Sequence, residues 1–179
     1  MKRRAIYGST GLVVLVVAVG VLMSTHATTT NLFFPTLSTC TNVGSQITVN
    51  LQANSVTGVN AWQVNVTFTA YALGLKSVSL GSSWTSGGHS YFATTLNNSG
   101  TYQYAFTYEN NATLTKSTAF TFLSFVFTVL QKPVIGNFHI VTASENVQMG
   151  TYVLGQSLVI ETYTTTDGEF DNCLNRPGH

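Results

Sequence analysis

Charge is scarce in this chain: seven Lys and Arg against six Asp and Glu in 179 residues. Lys2, Arg3 and Arg4 hold three of the seven bases, so residues 28–179 carry four bases and six acids, a net of −2. No basic stripe remains to neutralise phosphates, which excludes a nucleic-acid binder. Glu, Lys and Arg are too few for a helical bundle or coiled coil. Of four His, only His89 and His139 stand inside the body of the chain. His-x-x-x-His, Cys-x-x-Cys and Gly-x-Ser-x-Gly are all absent, and general acid–base chemistry needs placed titratable groups, so no enzyme is expected. Two cysteines, Cys40 and Cys173, cannot complete a four-ligand zinc site; their even number in an exported chain favours a disulfide.

Long apolar runs are equally sparse, and the single one is N-terminal. Lys2-Arg3-Arg4 precede the 13-residue run Gly11–Met23, and Ser24-Thr25-His26-Ala27 follows. That order is a secretory signal, with residues 1–27 removed after Ala27. A second reading extends the run to Ala5, giving 19 residues that would span a bilayer as an uncleaved anchor helix. A third takes Arg4-Ala5-Ile6 as a pilin-type processing site. All three export residues 28–179 to the cell surface or beyond.

What is abundant is Thr (28), Ser (16) and Asn (14), about a third of the chain, together with 12% aromatic and 44% apolar residues. A core can be buried, and Thr, Val, Phe and Tyr with Asn and Gly punctuation point to an all-β domain. Residues 28–44 read as an exposed polar lead-in. Gln46–Ala53 alternates, with Ile47, Val49 and Leu51 on one face. Ser55–Asn60 reads as a turn. Ala61–Ala70 has the strongest period of two, with Trp62, Val64, Val66 and Phe68 inward and Gln63, Asn65 and Thr67 outward. Further strands fall at Leu75–Leu80, His89–Leu96, Thr101–Glu109, Ala119–Leu130, Val134–Val141, Tyr152–Leu154 and Ser157–Thr165. In Ala119–Leu130 the phase changes, which predicts a bulge near Phe122. Eight or nine short strands make one sandwich.

Three sequons follow from the sequence. Asn65-Val-Thr67 lies on an outward strand face, whereas Asn97-Asn-Ser99 and Asn111-Ala-Thr113 lie at turns. Asn65, Asn97 and Asn111 are therefore candidate glycosylation sites. Asp167-Gly-Glu-Phe-Asp-Asn172 groups three acids but lacks a full calcium loop, so it reads as a solvated terminal turn and no cofactor is expected. Gly87-Gly88, without a following Lys and helix, is a loop. Trp62 shares parity with core residues. Tyr102, Tyr104, Phe106 and Tyr108 form an inner stripe. Trp84, in a Gly/Ser loop, is the candidate exposed ring for ligand binding.

Three segments resemble a known family. Ile47-Thr-Val-Asn-Leu51, Val59–Phe68 and Leu75–Gly81 are similar, in order and spacing, to the opening of a cohesin-like domain. Leu123–Val129 is similar to that family's later "l..i.F.v" strand, and Leu154–Ile160 with Thr166–Phe170 to its close. The resemblance covers about residues 45–170, leaving 171–179 as a tail. It implies a nine-stranded antiparallel jelly-roll sandwich related to carbohydrate-binding modules. It also implies a non-catalytic role at the cell surface, recognising a protein, typically a calcium-loaded dockerin, or a carbohydrate. Because the fold sets first and last strands side by side, it further implies that Cys40 and Cys173 come close. The family's Tyr-Asp-Pro after the second strand is replaced by Phe68-Thr-Ala-Tyr71. A different class remains open: a filament or surface-layer subunit in which residues 28–44 donate a strand to a neighbour.

Overall fold

The computed structural model describes residues 29–131, 134–141, 152–155 and 162–172. Residues 1–27, expected to direct export, and Cys173 lie outside the described residues. The strands are β1 (Thr30–Phe33), β2 (Leu37–Thr39), β3 (Gln46–Ala53), β4 (Val56–Phe68), β5 (Leu73–Leu80), β6 (Tyr91–Asn98) and β7 (Thr101–Tyr108). They continue as β8 (Leu114–Lys116), β9 (Phe120–Val129), β10 (Val134–Val141), β11 (Tyr152–Gly155), β12 (Tyr163–Thr166) and β13 (Gly168–Asn172). Among the described residues one 3-10 turn, Ser82–Trp84, interrupts them.

Two sheets face each other. One runs β12-β1-β3-β9-β5; the other runs β2-β13-β10-β4-β7-β6, with β8 and β11 also paired to β4. Among the described strands pairing is antiparallel except that β1 runs parallel to β12 and β2 parallel to β13. The all-β sandwich expected from composition and alternation is the observed architecture.

Residues 28–44 correct the reading of an exposed lead-in. Leu32 and Phe34 are core residues of this chain's own sandwich, and β1 and β2 join one sheet each. The stretch was hard to see because each strand is only three or four residues long, too short for a period. The Ser55–Asn60 turn is likewise absent. Strand β4 begins at Val56 and absorbs the irregularity as a bulge between Val56 and Val59, where Gly58 takes a φ of 62° that a side chain would strain. At the other end, residues 168–172 form a strand instead of a terminal turn and tail. Gly168, Phe170 and Asn172 point inward, and Asn172 is buried with its amide bonded to both the N–H and the C=O of Thr41.

The phase change near Phe122 is a bulge, as expected. Leu51 pairs with Leu123 and the next residue, Gln52, with Thr121, so Phe122 is the extra residue. Adjacent Phe122 and Leu123 are thereby both buried. The bulge also brings the Phe122 carbonyl to the Gly81 N–H at 3.0 Å, so close that a Cβ on residue 81 would overlap the Thr121 carbonyl.

The core is aromatic. Trp62 stacks on Phe106 at 5.3 Å and on Tyr104 at 5.4 Å, with Phe122 at 4.5 Å from the opposite sheet. Tyr102, Tyr104 and Tyr108 are buried as the inner stripe required. Burial pushes all three phenols above their usual range; neighbouring Tyr102 and Tyr91 add to the rise at Tyr104, and a hydrogen bond with Thr95 opposes it at Tyr102. A phenol raised in the fold binds its proton more tightly there than in the unfolded chain. Its stabilisation is therefore complete below the ordinary phenol pKa of about 10 and is lost as pH rises through the folded values. Urea midpoints are expected to hold level up to about pH 9 and to decline above about pH 10, with a shallower decline in Tyr104→Phe. An equal slope in that variant would remove Tyr104 as a contributor.

Candidate functional surface

The large sheet exposes its outer face most fully at β6, its free edge. Strand β6 pairs with β7 from Tyr91↔Tyr108 to Asn98↔Thr101 without a break, and Gly100 closes the hairpin at φ 78°. Because Tyr108, Phe106, Tyr104 and Tyr102 point inward, their partners Tyr91, Ala93, Thr95 and Asn97 share the inner side. Phe92, Thr94, Leu96 and Asn98 point outward. Phe92 is 61% and Leu96 47% exposed, two large apolar side chains on one open strip. Beside them β7 contributes Gln103, Ala105 and Thr107, all partly exposed. No residue of β4, β6 or β7 is charged. Such a surface offers apolar contact and amide and hydroxyl groups, with no field to attract ions. On the inner side, a cleft of about 170 Å³ opens between the β6–β7 hairpin and β5, lined by Phe68, Leu73, Leu75 and Asn97–Gly100.

Trp84, the expected exposed ring, is fully buried. The 3-10 turn folds the Gly/Ser loop back across the end of the sandwich, where the ring meets Phe122 at 4.9 Å, Phe106 at 5.3 Å and Trp62 at 5.5 Å. The Tyr108 hydroxyl donates to the Trp84 carbonyl at 2.7 Å and fixes the turn. A polar loop sequence does not report what its one large ring covers.

Asn65 also departs from expectation. It faces away from the core, yet is only 4% exposed, and its Oδ1 has no hydrogen-bond partner among the described residues. The residue sits mid-strand in β4 with β7 on one side and β10 on the other. Parity gives direction relative to the core but not access, and a glycan does not fit a residue this enclosed. Asn97 lies on β6 itself instead of in a turn, and is exposed. Asn111 is exposed in the turn after β7, with φ 58°.

The remaining titratable groups do not assemble. His139 Nδ1 and Asp167 Oδ2 are 2.7 Å apart, tying β10 to the turn before β13. Both are about half exposed, where solvent screening leaves such a pair little worth. No group of three or more His, Cys, Asp or Glu able to hold a metal occurs among the described residues.

The same fold recurs in solved structures, and the family follows from the sequence itself. The profile of the cohesin domain matches residues 31–170. The chain belongs to the cohesin family. Its match begins inside β1, in keeping with the structural role of that segment. No curated protein sequence matches the chain. The sixth cohesin of scaffoldin B from Acetivibrio cellulolyticus, solved in complex with a Cel5 dockerin mutant, is similar with 19% identity and a TM-score of 0.65, covering 80% of this chain and 99% of that one. A non-cellulosomal cohesin from Archaeoglobus fulgidus is similar at 12% identity and TM-score 0.62, covering 80% and 90%. The cohesin of a Clostridium thermocellum OlpA–Doc918 complex is similar at 12% identity and TM-score 0.63, covering 80% and 98%. Identities this low establish a common fold.

Cohesin domains are non-catalytic, and this one is no exception in kind. Where the family carries Tyr-Asp-Pro, this cohesin turns through Thr69–Leu73, with the N–H groups of Ala72 and Leu73 both donating to the Thr69 carbonyl and Tyr71 left 68% exposed. Phe92 and Leu96 were passed over in the sequence because β6 carries apolar residues on both parities and so shows no dominant face. That same two-sided pattern, uncharged and close to an Asn-Ser-Gly turn, is the signal that could have marked a free edge.

Proposed function

We propose that this cohesin domain binds a protein partner outside the cell, across the outer face of the eight-stranded sheet at β6 and β7, with a dockerin-like module as the partner class. The exposed pair Phe92 and Leu96 on an uncharged, amide- and hydroxyl-rich surface carries this reading, since apolar anchors within a polar surround suit a protein interface. Similar cohesins have been solved with dockerins bound. The basic and apolar N-terminus supports export. Asn97 and Asn111, both exposed, are the sequons that would accept glycans in a host able to add them.

The test is affinity capture from the native host's culture supernatant, with the full chain immobilised as wild type and as Phe92→Asp. A protein retained by the wild type, lost at least tenfold by the variant and released by a calcium chelator is expected. A partner indifferent to calcium would remove the dockerin-like assignment. Retention of polysaccharide in place of protein, or equal capture by both forms, would overturn the reading.

A further inference from the structure

Among the described residues the two strand orders end on β12, β5, β2 and β6, and three of these end strands are guarded. Strands β2 and β12 are only three and four residues long. Strand β5 has a register break between Leu75 and Ser77 and displays Lys76 to solvent. Short strands, bulges and edge lysines are the usual means of refusing another strand. Strand β6 has none of them: eight residues in unbroken register, without Lys, Pro, Gly or bulge, and exposed along nearly its whole length.

The hydrogen-bond phase shows which groups are offered. The Glu109 N–H donates to the Ser90 carbonyl at 3.0 Å, so Ser90 and Glu109 are a hydrogen-bonded pair, as the alternation then makes Phe92, Thr94, Leu96 and Asn98. The N–H and C=O groups of Tyr91, Ala93, Thr95 and Asn97 therefore point out along the free edge.

We propose that this edge pairs, antiparallel, with β6 of a second copy about a two-fold axis midway between Thr94 and its counterpart. Sequence and register favour a copy of the same chain over a foreign strand. With Thr94 opposite its own counterpart, Phe92 stands opposite Leu96 of the second copy, and does so twice, on the outer face. The outward-offering residues match as well: Tyr91 with Asn97 and Ala93 with Thr95, in both directions, so every free group on the edge is satisfied. No charge lies on β6 to repel its like. The axis is normal to the sheet, so the outer faces of the two copies become neighbours on one side. Backbone pairing of this kind supplies affinity and the cross-strand side-chain pairs supply register.

Thr94 would meet its counterpart in a non-hydrogen-bonded pair, with Cα atoms about 4.5 Å apart, within disulfide reach. The experiment uses the full chain carrying Thr94→Cys, oxidised and run without reductant. A register-specific dimer is expected, while Thr48→Cys, on the exposed face of the other sheet, stays largely monomeric. Adding Phe92→Glu with Leu96→Glu places like charges opposite each other twice and is expected to cut the cross-link about tenfold; Phe92→Glu with Leu96→Lys places opposite charges there and restores it. All of these side chains are exposed, so folding is retained and Trp fluorescence verifies it. Cross-linking no greater than at Thr48→Cys, or indifferent to the charge pattern, would overturn the proposal; a foreign strand on this edge would give the first of those results. No partner protein is present, so the outcome is independent of the capture experiment.

Discussion

Trp84→Ala is expected to destabilise the domain by about 3–5 kcal/mol, the range for deleting a large buried aromatic. The ring is fully buried and lies within 6.2 Å, centroid to centroid, of Trp62, Phe106, Tyr108, Phe120 and Phe122. Removing it empties the end of the core where the two sheets meet the 3-10 turn, and the backbone there cannot collapse freely. The Tyr108 hydroxyl holds the Trp84 carbonyl, and Gly81 is wedged against the β9 bulge. Equilibrium urea unfolding measures the loss; a fall of about 10 °C in Tm is the thermal counterpart. Trp84→Phe keeps most of the ring and also removes an indole N–H that is buried without a hydrogen-bond partner among the described residues. It leaves a smaller void and is expected to cost clearly less than the alanine variant, because the penalty rises with the cavity left behind. A loss below about 1 kcal/mol for the alanine variant would show that the ring does not belong to the core.

The second large effect is expected at Cys40 and Cys173. The parallel register of β2 and β13 runs from Leu37↔Phe170 to Thr39↔Asn172, and Cys40 and Cys173 are the residues that follow Thr39 and Asn172 in the sequence. Asn172 clamps the Thr41 backbone just past this point, and Cys40 is not a free thiol. A bond between them would close a loop of more than a hundred residues, worth about 4–5 kcal/mol in the chain-entropy account. Reduction, or Cys40→Ser with Cys173→Ser, is expected to lower the urea midpoint accordingly. Peptide mapping without reductant identifies the pair, and two alkylatable thiols in the exported protein would eliminate it.

How far the sequence reached depended on the length over which a pattern could repeat. Trp62, Val64, Val66 and Phe68 alternate for most of a strand, and the sheet they build is the one expected. The adjacent apolar pair Phe122-Leu123 betrayed its bulge because both neighbours were long enough to set a phase. Leu32 and Phe34 gave no such warning, since β1 and β2 end before a second period begins. Asn65 and Trp84 failed for another reason: access depends on what lies above a residue, and segments distant in the chain decide that. The free edge at β6 belongs to the same class, because an edge is a property of the whole sheet and not of the strand that forms it.

The parallel pairings at the two ends of the domain also determine how it bears tension. Pulled between residue 30 and residue 172, β1 slides against β12 and β2 against β13 along their lengths. Hydrogen bonds loaded in this direction resist together, whereas an antiparallel hairpin opened from its end yields one bond at a time. The resistance is set by the rate of barrier crossing under load and not by equilibrium stability. Under such a load the domain is gripped at both ends by its own backbone, and the core opens only after those grips slip.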